Sequence, residues 1–255
     1  MTTTWTDRKL ARTGFTLLEL IVVIVILASL AGLVISRVDW ARRSTDTATA
    51  AAGIAQVQEN LQLYRTAKAT YPDRFDSLLD STTVATTPAI YGPVFDHAAP
   101  RFEVTTIPAP PPGPPTGPIF SLQHVGMVSV MDHNPAATFP GDSGTVVRAL
   151  DFSVDTPAVT VVANSAIERA IYPGGKPADV TLIALGVGPA CTAVGATMAA
   201  APIGAELDPS STYSRFIAIF ACYASGKRAD LKTVVDPSGQ VLGAQLKNFH
   251  DAGLD

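Results

Sequence analysis

The sequence predicts an α+β protein, in which one long N-terminal helix leads into a head built on an antiparallel β-sheet with an enlarged insertion. Three observations predict it. Residues 15–36, FTLLELIVVIVILASLAGLVIS, form a 22-residue apolar run whose only ionisable side chain is Glu19. Downstream, Ala50, Ile54, Val57, Leu61 and Tyr64 recur at helical spacing. Beyond Tyr71 the apolar runs are short and bounded by Pro, Gly, Asp or Asn, the pattern of strands.

Composition narrows the class. Of 255 residues 47% are hydrophobic and only 16% are charged, against about 25% charged in ordinary soluble domains. The net charge is −4, and the part after Gly14 is more acidic still, because the leader holds Arg8, Lys9 and Arg12 against Asp7. No global field draws the chain to nucleic acid, and no nucleic-acid partner is expected.

The apolar run would extend ~33 Å as a helix, enough for a hydrocarbon core of ~30 Å. It is too long for the core of a secretory signal peptide, and Ser36-Arg37-Val38-Asp39 offers no small-residue cleavage site. A plain signal anchor accounts for the length but not for Glu19, since a carboxylate inside a membrane span is costly and needs a partner. The periodicity from Ala50 to Tyr64 predicts that the helix continues to about Lys68, ~80 Å in all, with Tyr71-Pro72-Asp73 as its stop.

Gly14-Phe15-Thr16-Leu17-Leu18-Glu19, after a short basic leader, resembles the processing site of type IV prepilins and type II secretion pseudopilins. The stretch YPDRFDSLL, residues 71–79, is also similar to the segment after the long helix of major pseudopilins. The resemblance implies a pilin-like fold. It implies that a membrane prepilin peptidase cuts after Gly14 on the cytoplasmic side and methylates the new terminus, Phe15. Glu19 would then serve filament assembly by neutralising the α-amino group of Phe15 on a neighbouring subunit, so that two buried charges become one pair. The family's helix-kinking proline is missing, and Gly32 would supply the flexibility instead.

The resulting organisation is a cleaved leader at 1–14, a transmembrane half-helix at 15–36, an amphipathic half at 37–70 and an extracytoplasmic head at 71–255. Basic residues do not orient it, because Arg8, Lys9 and Arg12 are matched by Arg37, Arg42 and Arg43. The resemblance puts the N-terminus in the cytoplasm and the chain in a bacterial inner membrane as a single-pass protein, assembled into a periplasmic or surface filament. Implied partners are the peptidase, other pilin-like subunits, an assembly platform protein and an ATPase.

Within the head, residues 107–118, IPAPPPGPPTGP, favour extended polyproline II and read as a stiff spacer. Val125–Met131, Ala158–Ala163 and Val180–Leu185 read as strands. Ser214–Ala224, Leu231–Val235 and Gln240–Leu246 read as a three-stranded meander with turns at Gly226 and Asp236-Pro237-Ser238-Gly239.

Gly141-Asp142-Ser143-Gly144 matches the string around a serine-protease nucleophile, the basis of an alternative reading as a signal-anchored hydrolase. None of His97, His124, His133 and His250 lies in the matching histidine context, and the string is ordinary turn chemistry. Gly186-Val187-Gly188-Pro189-Ala190-Cys191 lacks the third glycine of a dinucleotide loop, and Gly174-Gly175-Lys176-Pro177 lacks the Ser or Thr of a phosphate loop. Asp96-His97 and Asp132-His133 read as solvated loop residues rather than metal ligands. No cofactor and no catalysis are expected. A calcium site from Asp230, Asp236 and Asp251, as in some pseudopilin heads, has no dense alternation of oxygen ligands behind it.

Cys191 and Cys222 would face an oxidising compartment, where a disulfide closing about 32 residues contributes roughly 3.5 kcal/mol. This resembles the C-terminal disulfide of many pilins, and two buried thiols are the alternative. A minor pilin with a binding role, in adhesion or DNA uptake, is the second functional reading, and clustered Lys, Arg and aromatics on the head would favour it.

Overall fold

A computed structural model of the chain describes residues 16–80, 101–107, 116–133, 146–150, 158–204 and 213–244, except for the side chains of 33–44 and of Asp80 and Val146. Two compact units are distinguished, Met1–Ser44 and Thr45–Asp255. Helix α1, Leu17–Lys68, contributes residues to both.

In the first unit the described part of α1 has no internal partner for its apolar side chains. In the second unit α1 is a core element. Ala50, Ile54, Val57 and Leu61 are buried and Tyr64 packs against the same cluster, so the helical periodicity in the sequence is the buried stripe. The helix comes unusually close to the head at Gly53, where a Cβ would collide with the ring of Phe216. It ends at Lys68 because Ala69 adopts a left-handed conformation, φ 60°, three residues ahead of Pro72. The peptide nitrogen of Tyr71 then bonds the Val125 carbonyl.

The head combines β1 (Phe75–Asp80), β2 (Phe102–Thr106), α2 (Pro118–His124), β3 (Ser129–His133), β4 (Val146–Ala149), β5 (Ala158–Val162), α3 (Ser165–Ile171), β6 (Val180–Gly186), β7 (Ile217–Tyr223) and β8 (Ala229–Val235). On one edge β6 pairs with β7 along its whole length, and β7 pairs with β8. Its other edge forks. Ile183 meets Val161 of β5, which leads to β2, while Gly186 meets Asp76 of β1, which leads to β3 and β4.

The sheet is mixed, which corrects the antiparallel expectation: β1 and β3 run parallel. A parallel pair needs a long crossover, and residues 81–128 supply one. The pairing is irregular between Asp76 and Asp80, where Leu78 takes φ 64°. The expected third strand of the meander is corrected too. Asp236 Oδ1 accepts from Ser238 Oγ and from the Gln240 nitrogen, closing a tight turn, after which only Val235 and Val241 bridge and residues 242–244 are helical.

Strand Val125–Met131 begins late, at Ser129, because Leu122 accepts from the nitrogens of Val125 and Met127 and so closes α2. Pro118 belongs to that helix rather than to the spacer, in the first turn, where proline's missing N–H costs nothing. Residues 108–115 of the proline-rich segment lie outside the described residues.

Strands β6 and β7 are buried on both faces. Ile183, Leu185, Phe220 and Cys222 pack toward Ile54, Val57 and Leu61, while Leu182, Ala184, Ile217 and Ile219 pack toward Ile167 of α3, Phe102 and Tyr213. Alternate residues of one strand serve opposite faces, so both strands read as continuous apolar runs.

Candidate functional site

The described part of α1 in the first unit carries apolar residues on every face. Eleven large apolar residues from Leu17 to Leu30 are exposed, by 45% to 76%. Helices that bury a stripe leave the other faces polar; a helix apolar all round is built for an apolar environment or for neighbouring helices. Ser29 does not interrupt this, because its hydroxyl donates to the Val25 carbonyl at 2.8 Å and is satisfied within the helix.

Glu19 sits at the first turn. Its Oε2 accepts from the backbone nitrogen and from the hydroxyl of Thr16, both at 2.9 Å, and the Glu19 nitrogen donates back to Thr16 Oγ1 at 3.3 Å. This is a capping box, which satisfies donors that the first helical turn leaves open. The positive end of the helix also favours a carboxylate there. Oε1 takes none of these bonds. The sequence reading identified Glu19 but not Thr16, although a Thr three residues before a Glu at the head of an apolar run is the legible signature of a capping box.

Gly14 and Phe15 lie outside the described residues. Among the described residues no helix is long and apolar enough to cross a membrane. The stretch with described side chains, Leu17–Gly32, corresponds to ~24 Å of helix, short of ~30 Å, and residues 33–36 fall where side chains are not described.

In the head, Cys191 and Cys222 are free, buried thiols, the alternative to the expected disulfide. Register explains why. Cys222 pairs with Ala229 on β8 and Thr181 near the start of β6, whereas Cys191 lies five residues past the end of β6, where the Thr192 nitrogen bonds the Asp73 carbonyl. From Thr181 to Gly186 the strand runs ~17 Å, and a disulfide requires Cα atoms within about 7 Å. Burial pushes the Cys191 thiol up to about 12 and the Cys222 thiol well above its ordinary value.

Asp132 is not a solvated loop residue. It is buried in β3, accepts from Ser77 Oγ at 2.5 Å and pairs with Arg148 Nε at 2.6 Å. His133 is buried beside it. Asp96, His97, Ser143, His250 and Asp251 lie outside the described residues. Asp230 faces Arg65, Arg228 and Lys232, and Asp236 Oδ1 holds its own turn. Among the described residues no group of three His, Cys, Asp or Glu side chains is placed to hold a metal.

Residues 186–191 form a turn, with the Cys191 nitrogen bonding the Gly188 carbonyl. Gly188 is required there, because a Cβ would collide with the Asp76 carboxylate, which accepts from Tyr213 at 2.8 Å. Lys176 Nζ donates to the Val180 carbonyl at 2.9 Å.

The sequence reading missed the joint between helix and head. Tyr71 stacks edge-on against Phe220, its hydroxyl accepts from Arg65 and from the Leu231 nitrogen, and the Asp73 carboxylate accepts from the nitrogens of Val128 and Ser129. The string YPD signals a helix stop, and nothing local indicates that its side chains reach three separate elements.

Comparison with known proteins agrees with the N-terminal reading. Residues 9–35 match the family described as prokaryotic N-terminal methylation motif. The chain therefore carries the prepilin-type cleavage and methylation signal. No curated protein and no solved structure matches it.

Proposed function

We propose that this chain is a structural subunit of a type II secretion pseudopilus or a type IV pilus-like filament. The observation that carries the reading is the coincidence of the methylation motif at residues 9–35 with a helix whose apolar side chains are exposed on every face and whose ionisable side chain within residues 16–32 is Glu19. A prepilin peptidase cuts between Gly14 and Phe15 and methylates Phe15. The mature helix holds the subunit in the inner membrane, head outward, until an assembly platform and its ATPase draw it into the filament.

The chemistry of assembly follows from charge and solvation. In an apolar bundle a free α-amino group on Phe15 and a carboxylate on Glu19 are each expensive to bury alone, and together they form one neutral pair. The Thr16 cap holds the carboxylate at the helix end in the meantime through Oε2. Repeating one heterologous helix contact that does not close produces a helical filament.

Intact-mass and N-terminal peptide analysis of chain purified from cells containing the peptidase tests the processing step. The expected N-terminus is methylated Phe15, and a chain still beginning at Met1 rejects the proposal.

A further inference from the structure

Of the chain's 18 Lys and Arg and 22 Asp and Glu, residues 1–44 hold six and three, so the second unit carries 12 basic against 19 acidic residues. Its cations are not spread evenly. Arg65 of α1, Arg228 and Lys232 converge on Asp230, at 3.9, 2.7 and 3.8 Å. Lys227 is exposed in the adjoining turn, and Lys176 reaches the Val180 carbonyl, on the residue paired with Tyr223 at the end of β7. Three of the twelve cations thus contact one carboxylate, and Lys227 and Lys176 lie at the same end of the β6–β7–β8 ladder.

Aromatic rings hold these cations in place. Arg65 lies 4.7 Å from the centre of Tyr71, Arg228 lies 4.9 Å from that of Tyr223, and Lys232 lies 5.8 Å from that of Tyr172. A cation over a ring loses less freedom on binding than a solvated side chain, and its charge still faces outward. The Arg228 side chain is 61% exposed and that of Arg65 43%. Against these five cations stand Asp230 and the exposed Asp179, whose carbonyl accepts from the Ala224 nitrogen, which leaves a surplus of positive charge on an otherwise acidic unit.

We infer that this end of the head is a docking surface for an acidic segment of a partner protein. The acidic remainder of the unit favours a short anionic segment over a nucleic acid, since a long polyanion would also be repelled by the surrounding carboxylates within a screening length of ~8 Å. The rings point the same way, because Tyr71 is buried and a cation already lies over Tyr223 and over Tyr172. This reading does not depend on the methylation motif at residues 9–35.

The test uses the full chain in detergent micelles, with fluorescein-labelled decaglutamate and fluorescein-labelled decathymidylate as probes at 25 and 150 mM NaCl. Decaglutamate is expected to bind and to weaken at the higher salt. Arg228→Glu should weaken it about tenfold, Arg228→Lys should restore most of the affinity, and Arg74→Glu, a charge reversal at an exposed position outside the cluster, should leave it unchanged. Absence of decaglutamate binding at 25 mM NaCl, equal losses in the two reversal variants, or tighter binding of decathymidylate would each overturn the inference.

Discussion

The two units of this chain treat apolar surface in opposite ways. Along residues 16–32 Leu, Ile and Val point outward on every side, and the polar groups are satisfied locally, Glu19 and Thr16 by each other and Ser29 by the carbonyl one turn back. In the head the same residue types point inward, and polar groups such as Asp73, Asp132 and Tyr71 bond across distant segments. The head completes its own core, whereas the exposed helix is an unfinished surface that its surroundings must complete.

That contrast can be broken at four points. The largest effect is expected from Glu19→Ala, which removes the partner of a buried terminal ammonium. Filament recovered by shearing should fall by about a hundredfold or more while membrane insertion and cleavage persist. Undiminished filament would leave the exposed helix without its charge-pairing role.

Next is Leu61→Ala, in the buried stripe of α1. It should destabilise the head by about 2 to 5 kcal/mol, read as a lowered melting transition, while cleavage after Gly14 is unchanged. A variant that lost cleavage and stability together would show that the two units are not independent.

Alkaline pH probes the core through its thiols. Native Cys191 and Cys222 stay protonated where unfolded thiols ionise, so stability is intact below about pH 9 and falls as pH rises toward 12. The slope should be at most about 1.4 kcal/mol per pH unit per thiol. Replacing both cysteines with alanine should flatten the pH dependence of the melting temperature, and both thiols should be titratable after denaturation without reductant.

The smallest effect is expected from Thr16→Ala, which removes one side of the capping box. It should cost about 1 kcal/mol of helix stability, seen as faster amide exchange in the first turn of α1, with the head unaffected. An equal change in the head would again contradict independence.

Much of the fold was legible where the information is local. The helix from Leu17 to Lys68, its buried stripe, and strands β5 to β8 follow from apolar periodicity and turn residues within a few positions of each other. What escaped prediction depended on distance along the chain. The short elements β1, β2, β4, α2 and α3 have little periodicity of their own, and the parallel β1–β3 pair joins residues about fifty apart. Of the candidate site residues, Glu19 was evident because a lone carboxylate in an apolar run is costly, and Thr16 was overlooked although its spacing is visible. Arg65, Arg228 and Lys232 carried no joint signal, since nothing in a single strand or helix says that three separated cations share one carboxylate.

The sequence by itself determined the processing motif, the solitary carboxylate and the helix that follows, because each is written in contiguous residues whose chemistry does not depend on folding. Only the tertiary structure decided the state of the cysteines, the fork of the sheet and the grouping of cations around Asp230. The physical reason is register. A disulfide, a parallel pair and a charge cluster all depend on which residues of distant strands stand opposite one another, and packing sets that alignment.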